Sequence, residues 1–493
     1  MSDLTDTSTE SRAAILLIHG VGQQKPYQLL DVFARGLIDH YQAKIEKIEP
    51  RLFQFGGQGS VRSCVTLHFK EPVGRQQLDS LDLFEFYWAG MVQGRITLRQ
   101  MLRWALGTSI PPLKLWAQQM TLPGGNAQLG LALFRELATA FGLLLATILI
   151  IFPIPYIVVH IQDYIGAGQQ IVGVLQTLAN NPPGLFGALV LLILVILEIF
   201  IIVSILQIGL RLGRGKDMEA SMLKQWGIGS IGLFVILLLL IGVIAGLSDP
   251  ASLAALGEVG AALFTGAVGW GLFSLLLAYG AGRFMVDFVG DIPLYVEADE
   301  KSEFHRTRDE IKSAGLALLT NLVDNPEYRA VFVAGHSLGS VIGYDLINQL
   351  IRESRAGLPH DLTRLRGMLT FGSPLDKIYY FFRDTVGEKQ AVRAQIQSFL
   401  HGFRKKSSGR DYHPYRFDRY DMPSLETMQW VNVYSNMDIV SDRLNFYAVD
   451  AQIHLAYWNP LTAHVGYWGD ASFYSILAAL LEARTSFEGR LSK

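Results

Sequence analysis

The chain has 493 residues, of which 50% are hydrophobic and only 17% are charged. An ordinary soluble domain carries about 25% charged residues, so part of this chain is expected to lie in lipid. The net charge of −2 argues against a nucleic-acid partner, because domains that bind nucleic acid are usually basic. The single cysteine, Cys64, excludes an intramolecular disulfide.

The chain begins with a polar stretch, residues 1–12, that lacks the basic and apolar regions of a signal peptide. We expect this stretch to be a disordered tail. An apolar strand then ends in His19-Gly20-Val21-Gly22, before a helical pattern that starts near Tyr27. Residues 13–120 are predicted to form the first half of an α/β domain, and His19 is expected to shape the loop rather than to act as a base.

Residues 121–290 contain four apolar segments, each long enough to cross about 30 Å of hydrocarbon, which takes roughly 20 residues of helix. We therefore predict four transmembrane helices, with a kink at Pro153 and Pro155 in the first. Glu198 lies in the middle of the second segment, and an ionisable residue there suggests a functional site. The alternative is a protonated glutamic acid that is hydrogen-bonded to a neighbouring helix. The segments are Leu137–Val159, Leu185–Leu206, Gly227–Leu247 and Val259–Ala281.

Positive charges predict how these segments are oriented. The loop between the second and third contains Lys and Arg residues between Arg211 and Lys224, whereas the other two loops contain none. By the positive-inside rule, this loop and both termini face the cytoplasm, as in a multi-pass protein of a bacterial inner membrane. Because the number of spans is even, residues 13–120 and 291–493 lie on one side and can form a single domain.

A strand, a turn and a helix after the fourth segment point to a nucleophilic serine. The apolar run Val331–Ala334 leads into Gly335-His336-Ser337-Leu338-Gly339, and a pattern with one apolar helical face follows. This is the context of a nucleophile elbow, so we predict Ser337 as the nucleophile. The oxyanion hole of such a site uses the residue after the nucleophile and a loop after an early strand, which predicts the N–H groups of Leu338 and Val21 as donors.

The acid of the triad is expected after the serine, in the chain order Ser, then Asp or Glu, then His. The strand Trp430–Ser435 leads into Asn436-Met437-Asp438. We predict Asp438 as the acid, because it lies in a short loop after the last strand but one. Asp376, which follows the strand Gly367–Gly372, and Asp442 remain alternatives.

The base is chosen between two histidines in near-duplicate contexts, His454-Leu-Ala-Tyr-Trp and His464-Val-Gly-Tyr-Trp. Alternation from Val449 to Tyr457 predicts a strand with His454 in its middle. His464 lies beyond that strand and before the helical stretch Ala471–Ala483. A general base must reach the serine, which a loop at the end of a strand allows, so we predict His464.

These motifs resemble a known superfamily. The HGVG turn, the GHSLGSVIGYDL elbow and the final AHVGYW look like those of the α/β-hydrolase serine esterases and lipases, over about residues 13–90 and 290–485. GHSLGSVIGYD and VYSNMDIVSDRL resemble the intracellular phospholipase A1 group named for its DDHD domain. The resemblance implies an α/β-hydrolase fold, a mostly parallel sheet flanked by helices, here split by the four-helix insertion. It also gives Ser337, Asp438 and His464 the roles of nucleophile, acid and base.

A membrane anchor favours a substrate or product in the lipid bilayer. We expect a lipase or phospholipase that cleaves carboxylic esters at the cytoplasmic face. A basic and aromatic stretch, His401–Tyr420, lies in a possible lid, residues 380–425, for which a solvated loop is the alternative. No phosphate-binding loop or metal-ligand spacing occurs, so neither a cofactor nor a metal is expected. The competing hypotheses are a tethered esterase or thioesterase on soluble acyl substrates, and a non-catalytic membrane scaffold or effector.

Overall fold

In the computed structural model, the chain divides into two compact units. The first contains residues Met1–Ile96, Ile110–Thr139 and Asp291–Lys493, and the second contains Thr97–Ser109 and Ala140–Gly290. The structure describes residues 11–22, 24–54, 61–92, 96–120, 127–166, 291–296, 304–381, 428–441, 443–459 and 462–483, together with isolated positions between these ranges.

The first unit contains an eight-stranded sheet. Its strands in chain order are β1 (Arg12–Ile18), β2 (Ile45–Gln54), β3 (Val61–Val73), β4 (Leu78–Phe86), β5 (Tyr328–His336), β6 (Leu365–Phe371), β7 (Gln429–Tyr434) and β8 (Ala451–His454). Across the sheet the order is β2-β3-β4-β1-β5-β6-β7-β8. β1 pairs in parallel with both β4 and β5, and β5 to β8 continue in parallel. β2, β3 and β4 form an antiparallel edge.

Helices of the first unit connect and flank these strands. The described helices are α1 (Gln28–Tyr41), α2 (Ala89–Val92), α3 (Leu98–Met120), α4 (Ala127–Ile151), α5 (Pro153–Val159), α6 (Asp291–Val296), α7 (His305–Asp324), α8 (Leu338–Arg355), α9 (Leu375–Phe381), α10 (Ala463–Gly466) and α11 (Ala471–Leu481). The protein is therefore an α/β protein with a mostly parallel sheet flanked by helices, as the sequence predicted.

Both faces of the sheet are buried, which is the usual state of parallel strands covered by helices. Along β1, Leu16 and Ile18 point into one apolar core and Ile15 and Leu17 point into the other, because side chains alternate along a strand. The first core also contains apolar residues of α7 and α8, and the second contains those of α1 and α11. Helices thus pack on both faces of the central strands.

The parallel register brings the carboxyl ends of the central strands to one edge of the sheet. Ile18, at the end of β1, is paired with Phe86 of β4 and with Gly335 of β5. The loop that follows β1 and the turn that follows β5 therefore begin side by side. In α/β sheets, ligands bind outside this edge.

One helical stretch in the described part of the chain is long and apolar enough to cross a membrane. It is Leu137–Val159, with a mean hydropathy of 2.5 and 11% of its most apolar window buried. α4 ends at Ile151 and α5 begins at Pro153, so the helix is interrupted where the prolines predicted a kink. Large apolar side chains such as Phe141, Ile154 and Val159 are exposed along it.

Several sequence predictions fall outside the described residues. They are most of the tail 1–12, the segments Leu185–Leu206 and Gly227–Leu247 with Glu198, all but isolated positions of Val259–Ala281, most of the lid 380–425, and the alternative acid Asp442.

Candidate active site

Ser337 lies on a sharp turn between a strand and a helix. β5 ends at His336 and α8 begins at Leu338, and Ser337 between them has φ 51° and ψ −128°. Positive φ is unfavourable for a residue with a Cβ, and such strain is concentrated at functional sites. The turn also needs glycine, because a Cβ built on Gly339 would lie 2.2 Å from the carbonyl oxygen of Ile18. This geometry is that of a nucleophile elbow.

The loop after β1 contacts this turn directly. A Cβ built on Gly20 would lie 2.6 Å from Cβ of Ser337, so only glycine allows the approach. Val21, the next residue, is one predicted oxyanion donor. Leu338, the other, begins α8, where the first N–H groups have no partner within the helix. The structure thus brings the segments that carry both predicted donors to the serine.

His19 fixes the shape of this loop. Its Nε2 accepts hydrogen bonds from the backbone N–H groups of Trp88 at 3.1 Å and Ala89 at 3.3 Å. Nδ1 therefore carries the proton and donates to the Gly20 carbonyl at 2.8 Å. Burial lowers the pKa of His19 to about 4, although the bond to Gly20 opposes this. Both ring nitrogens are occupied and the ring is neutral, so His19 holds the backbone and is not a base.

Asp438 is a buried carboxylate in the turn after β7. Its Oδ1 accepts from the backbone N–H groups of Val440 at 2.9 Å and Ser441 at 3.2 Å. Its Oδ2 accepts from the Tyr467 hydroxyl at 3.0 Å. Burial alone raises the pKa of this carboxyl group, but the hydrogen bond and charge of His464, with the bonds from Val440 and Tyr467, outweigh it and hold the pKa below its ordinary value. Asp438 is therefore ionised at neutral pH.

His464 lies in the short helix α10, with Nδ1 3.0 Å from each oxygen of Asp438. Because a carboxylate only accepts, Nδ1 carries the proton and Nε2 is the basic nitrogen. Cε1 of the ring would lie 3.2 Å from a Cβ built on Gly372. The residue before Gly372 is Phe371, whose carbonyl accepts the backbone N–H of Ser337 at 3.0 Å. The imidazole therefore lies beside the elbow.

The structure brings Asp438 and His464 into direct contact and places Ser337 next to them. Within the described ranges, the Ser337 hydroxyl makes no hydrogen bond with His464. Catalytic hydrogen bonds commonly tighten only when substrate is bound, so this does not remove His464 as a candidate base.

The alternative acid Asp376 has another role. Its carboxylate accepts the backbone N–H groups of Asn445 at 2.5 Å and Phe446 at 3.3 Å, and the side chain is buried. It thus holds the loop between β7 and β8. Asp376 is a structural anchor in this arrangement, whereas Asp438 contacts a histidine.

The predicted position of His454 was wrong in detail. The strand β8 ends at His454 itself, and the Leu455 N–H donates the last hydrogen bond to β7, at the Tyr434 carbonyl, at 2.8 Å. His454 Nε2 accepts the backbone N–H of Asn436 at 3.3 Å, and the ring packs 5.4 Å from that of Tyr434. This histidine is therefore engaged with the backbone of the turn before Asp438.

Three residues around the site were not assigned a role from the sequence. Tyr467 donates to Asp438, His336 contacts the carbonyl oxygen of His464, and Asp291 accepts the N–H of Gly22. Tyr467 follows His464 by three residues in a helical turn, so its contact with the same carboxylate was predictable from helical spacing. The bond to Asp291 joins distant parts of the chain, and no local pattern indicates it.

The chain was also compared with known proteins. It matches no protein-family model, no curated protein and no solved structure. Among the described residues, no group of three or more His, Cys, Asp or Glu could hold a metal ion.

Proposed function

We propose that this chain is a membrane-anchored serine hydrolase that cleaves carboxylic esters with Ser337 as nucleophile, Asp438 as acid and His464 as base. The observation that carries the proposal is the contact of His464 Nδ1 with both oxygens of Asp438 at 3.0 Å, beside the strained turn of Ser337. An imidazole oriented by a buried carboxylate next to a serine on such a turn is the arrangement that activates a hydroxyl group.

In the proposed reaction, Ser337 Oγ attacks the ester carbonyl carbon while His464 Nε2 takes its proton. The N–H groups of Leu338 and Val21 stabilise the oxyanion, at about 3–4 kcal/mol of barrier height for each donor. His464 then gives the proton to the leaving alcohol, and the acyl group remains on Ser337. Water, deprotonated by His464, then attacks the acyl carbonyl carbon, the bond to Ser337 Oγ breaks, and His464 returns the proton to Oγ as the carboxylic acid leaves. Asp438 stays ionised and stabilises the imidazolium throughout.

We also propose that the sheet is an α/β-hydrolase fold whose halves, residues 13–120 and 291–493, flank a four-helix membrane insertion. Two observations support this fold: the nucleophile turn joins a central parallel strand to a helix, and the candidate residues occur in the chain order Ser, Asp, His. The exposed apolar helix Leu137–Val159 supports the membrane insertion. Four spans place both halves at the cytoplasmic face.

The surroundings of the candidate triad favour a lipid substrate, as in a lipase or phospholipase. Met437 and Ile439 flank Asp438, Val465 follows His464, and all three apolar side chains are exposed. Trp458, on the loop that leads to His464, is 88% exposed. Exposed apolar side chains grouped around a site mark contact with a lipid or a partner surface. An acyl chain entering the site from a bilayer would cover them.

Labelling with a fluorophosphonate probe tests the nucleophile. The full-length wild type should be labelled and Ser337→Ala should not. Ser475→Ala, in helix α11, is the matched control and should be labelled like the wild type, because its hydroxyl only donates to the Ala471 carbonyl of its own helix. Labelling of Ser337→Ala at the wild-type level would overturn the assignment of Ser337. A wild type that is never labelled would instead indicate a non-catalytic scaffold.

Hydrolysis assays test the substrate class. Purified wild type should release fatty acid from phospholipid vesicles, and Ser337→Ala should not. Hydrolysis of soluble short-chain esters or thioesters without any release from vesicles would replace the lipase proposal with a tethered esterase.

A further inference from the structure

The side chain of His336 is buried between the two loops that carry the candidate machinery. It is 4% exposed, although the serine next to it forms the reactive turn. Its Nε2 lies 2.9 Å from the backbone carbonyl oxygen of His464. Because a carbonyl oxygen only accepts, Nε2 carries the proton and donates it to the loop of the base.

The other ring nitrogen faces the oxyanion loop. Nδ1 of His336 would lie 3.2 Å from a Cβ built on Gly20, and it has no hydrogen-bond partner in the described part of the chain. The opposite edge of the ring meets Gly372, where a Cβ would lie 3.1 Å from Nε2. Two glycines thus leave space for this one ring.

Aromatic rings complete the enclosure. The His336 ring lies 4.7 Å from that of His464, 4.7 Å from Trp468 and 5.0 Å from Phe371. Burial, with a smaller contribution from the nearby His464, lowers the pKa of His336 to about 3. The ring is therefore neutral at physiological pH, and a neutral ring beside His464 adds no repulsion when His464 becomes protonated.

We propose that His336 is a positioning residue. Its hydrogen bond to the His464 carbonyl fixes the backbone of the base, and its ring keeps that backbone at a set distance from the oxyanion loop at Gly20. Its hydrogen bond goes to the backbone of His464, not to the imidazole ring. Its Nε2 proton is committed to a carbonyl group, so it takes no part in proton transfer. This inference rests on the proposed function and goes beyond it, because it assigns the residue before the nucleophile to the orientation of the base.

The experiment compares three substitutions in the full-length protein. His336→Gln keeps an N–H donor near the position of Nε2, His336→Leu removes the donor, and His336→Asn keeps an amide that is too short to reach His464. We expect kcat for a soluble ester to fall about 10-fold in the Leu and Asn variants, the rate equivalent of one hydrogen bond. KM should stay within about 2-fold, and the Gln variant should keep kcat within about 3-fold.

The controls separate positioning from stability. His360→Leu removes another largely buried histidine, bonded to Asp324 at 2.9 Å, and should lower the thermal midpoint without changing kcat. The pH profile of kcat/KM should keep its apparent pKa in His336→Gln, because His336 does not titrate in that range.

Two results would overturn the inference. One is a wild-type kcat in both His336→Leu and His336→Asn. The other is a His336→Gln variant as inactive as Ser337→Ala, which would make the imidazole itself a chemical participant. Failure of the proposed function is recognised separately, because the wild type would then show no labelling at Ser337.

Discussion

The backbone N–H of Gly22 donates a hydrogen bond of 2.9 Å to the carboxylate of Asp291. Gly22 has φ 106°, a conformation that favours glycine, and it follows the proposed oxyanion donor Val21. Asp291 begins α6, directly after the residues expected to form the membrane insertion. The start of α6 is therefore bonded to the loop after β1, which carries the proposed oxyanion donor.

The first prediction concerns this bond. Asp291→Ala leaves the Gly22 N–H without its acceptor and loosens the loop, so kcat for ester hydrolysis should fall about 10-fold. Asp291→Asn keeps an acceptor oxygen and should lose about 3-fold or less. Equal kcat values for Asp291→Ala and the wild type would show that the loop holds its shape without this carboxylate.

The second prediction separates two acidic residues. Asp438→Asn should lower kcat by about 10⁴-fold, because an amide does not stabilise the imidazolium and favours the wrong tautomer. Asp376→Asn should keep kcat and lose about 1–3 kcal/mol of unfolding free energy, because two backbone N–H groups lose a charged acceptor. Steady-state kinetics and chemical denaturation measure the two effects. The reverse pattern would make Asp376 the acid.

The third prediction separates two histidines. His464→Ala should remove turnover almost as completely as Ser337→Ala, and the double mutant should be scarcely worse, because triad members act as a unit. His454→Ala should keep kcat and reduce only stability, since its ring accepts a backbone N–H. Loss of turnover in His454→Ala with normal turnover in His464→Ala would contradict the assignment of the base.

The fourth prediction is a pH dependence. The pKa of Asp438 is lowered below its ordinary value of 3.8, so its bonds stabilise the fold fully above that pH and are lost as the pH falls through the lowered pKa. Tyr467→Phe removes one of them and should lower the unfolding free energy by about 1 kcal/mol at pH 6. The difference from the wild type should shrink in strongly acidic buffer.

Tyr457→Phe is the matched control for that experiment. It also deletes a hydroxyl bonded to a carboxylate, that of Asp470 at 3.0 Å. It should reduce stability without changing kcat, whereas Tyr467→Phe should reduce both. A pH-independent loss in Tyr467→Phe would show that the hydroxyl does not act through the charge of Asp438.

The fifth prediction concerns topology. Reporters fused at Met1, near Lys216 and at Lys493 should all face the cytoplasm, and a reporter near Gly168 should face the other side. Protease protection in spheroplasts measures this. A C-terminus on the outer side would contradict the four-span topology and the proposed single domain.

Much of the fold was predictable because its signals are local. The run Val331–Ala334 and the apolar helix face after Gly339 predicted a strand, a turn and a helix, and β5 and α8 lie there. The alternation after Val449 was misleading, since β8 ends at His454. Alternating apolar residues continue past a strand end when the following loop also packs on the core, as Leu455 does.

The contacts that complete the site depend on tertiary structure. Asp291 reaches Gly22 only because the chain at α6 lies at the edge of the sheet where β1 ends. His336 reaches His464 only because β6 pairs with β5 and leads to Gly372. The rings of both histidines lie against that glycine. Residues that are far apart in the sequence and meet only in the folded protein cannot be identified from their spacing along the chain.

The central position of β1 has a consequence for biosynthesis. β1 leaves the ribosome early, but its partner β5 is synthesised only after the whole of residues 121–290. Until then one edge of an apolar strand has no partner, and such an edge invites aggregation. The cell must therefore keep the nascent amino-terminal half from associating wrongly until β5 has been synthesised. Chains that stop before Tyr328 would retain that open edge and become substrates for chaperones and proteases.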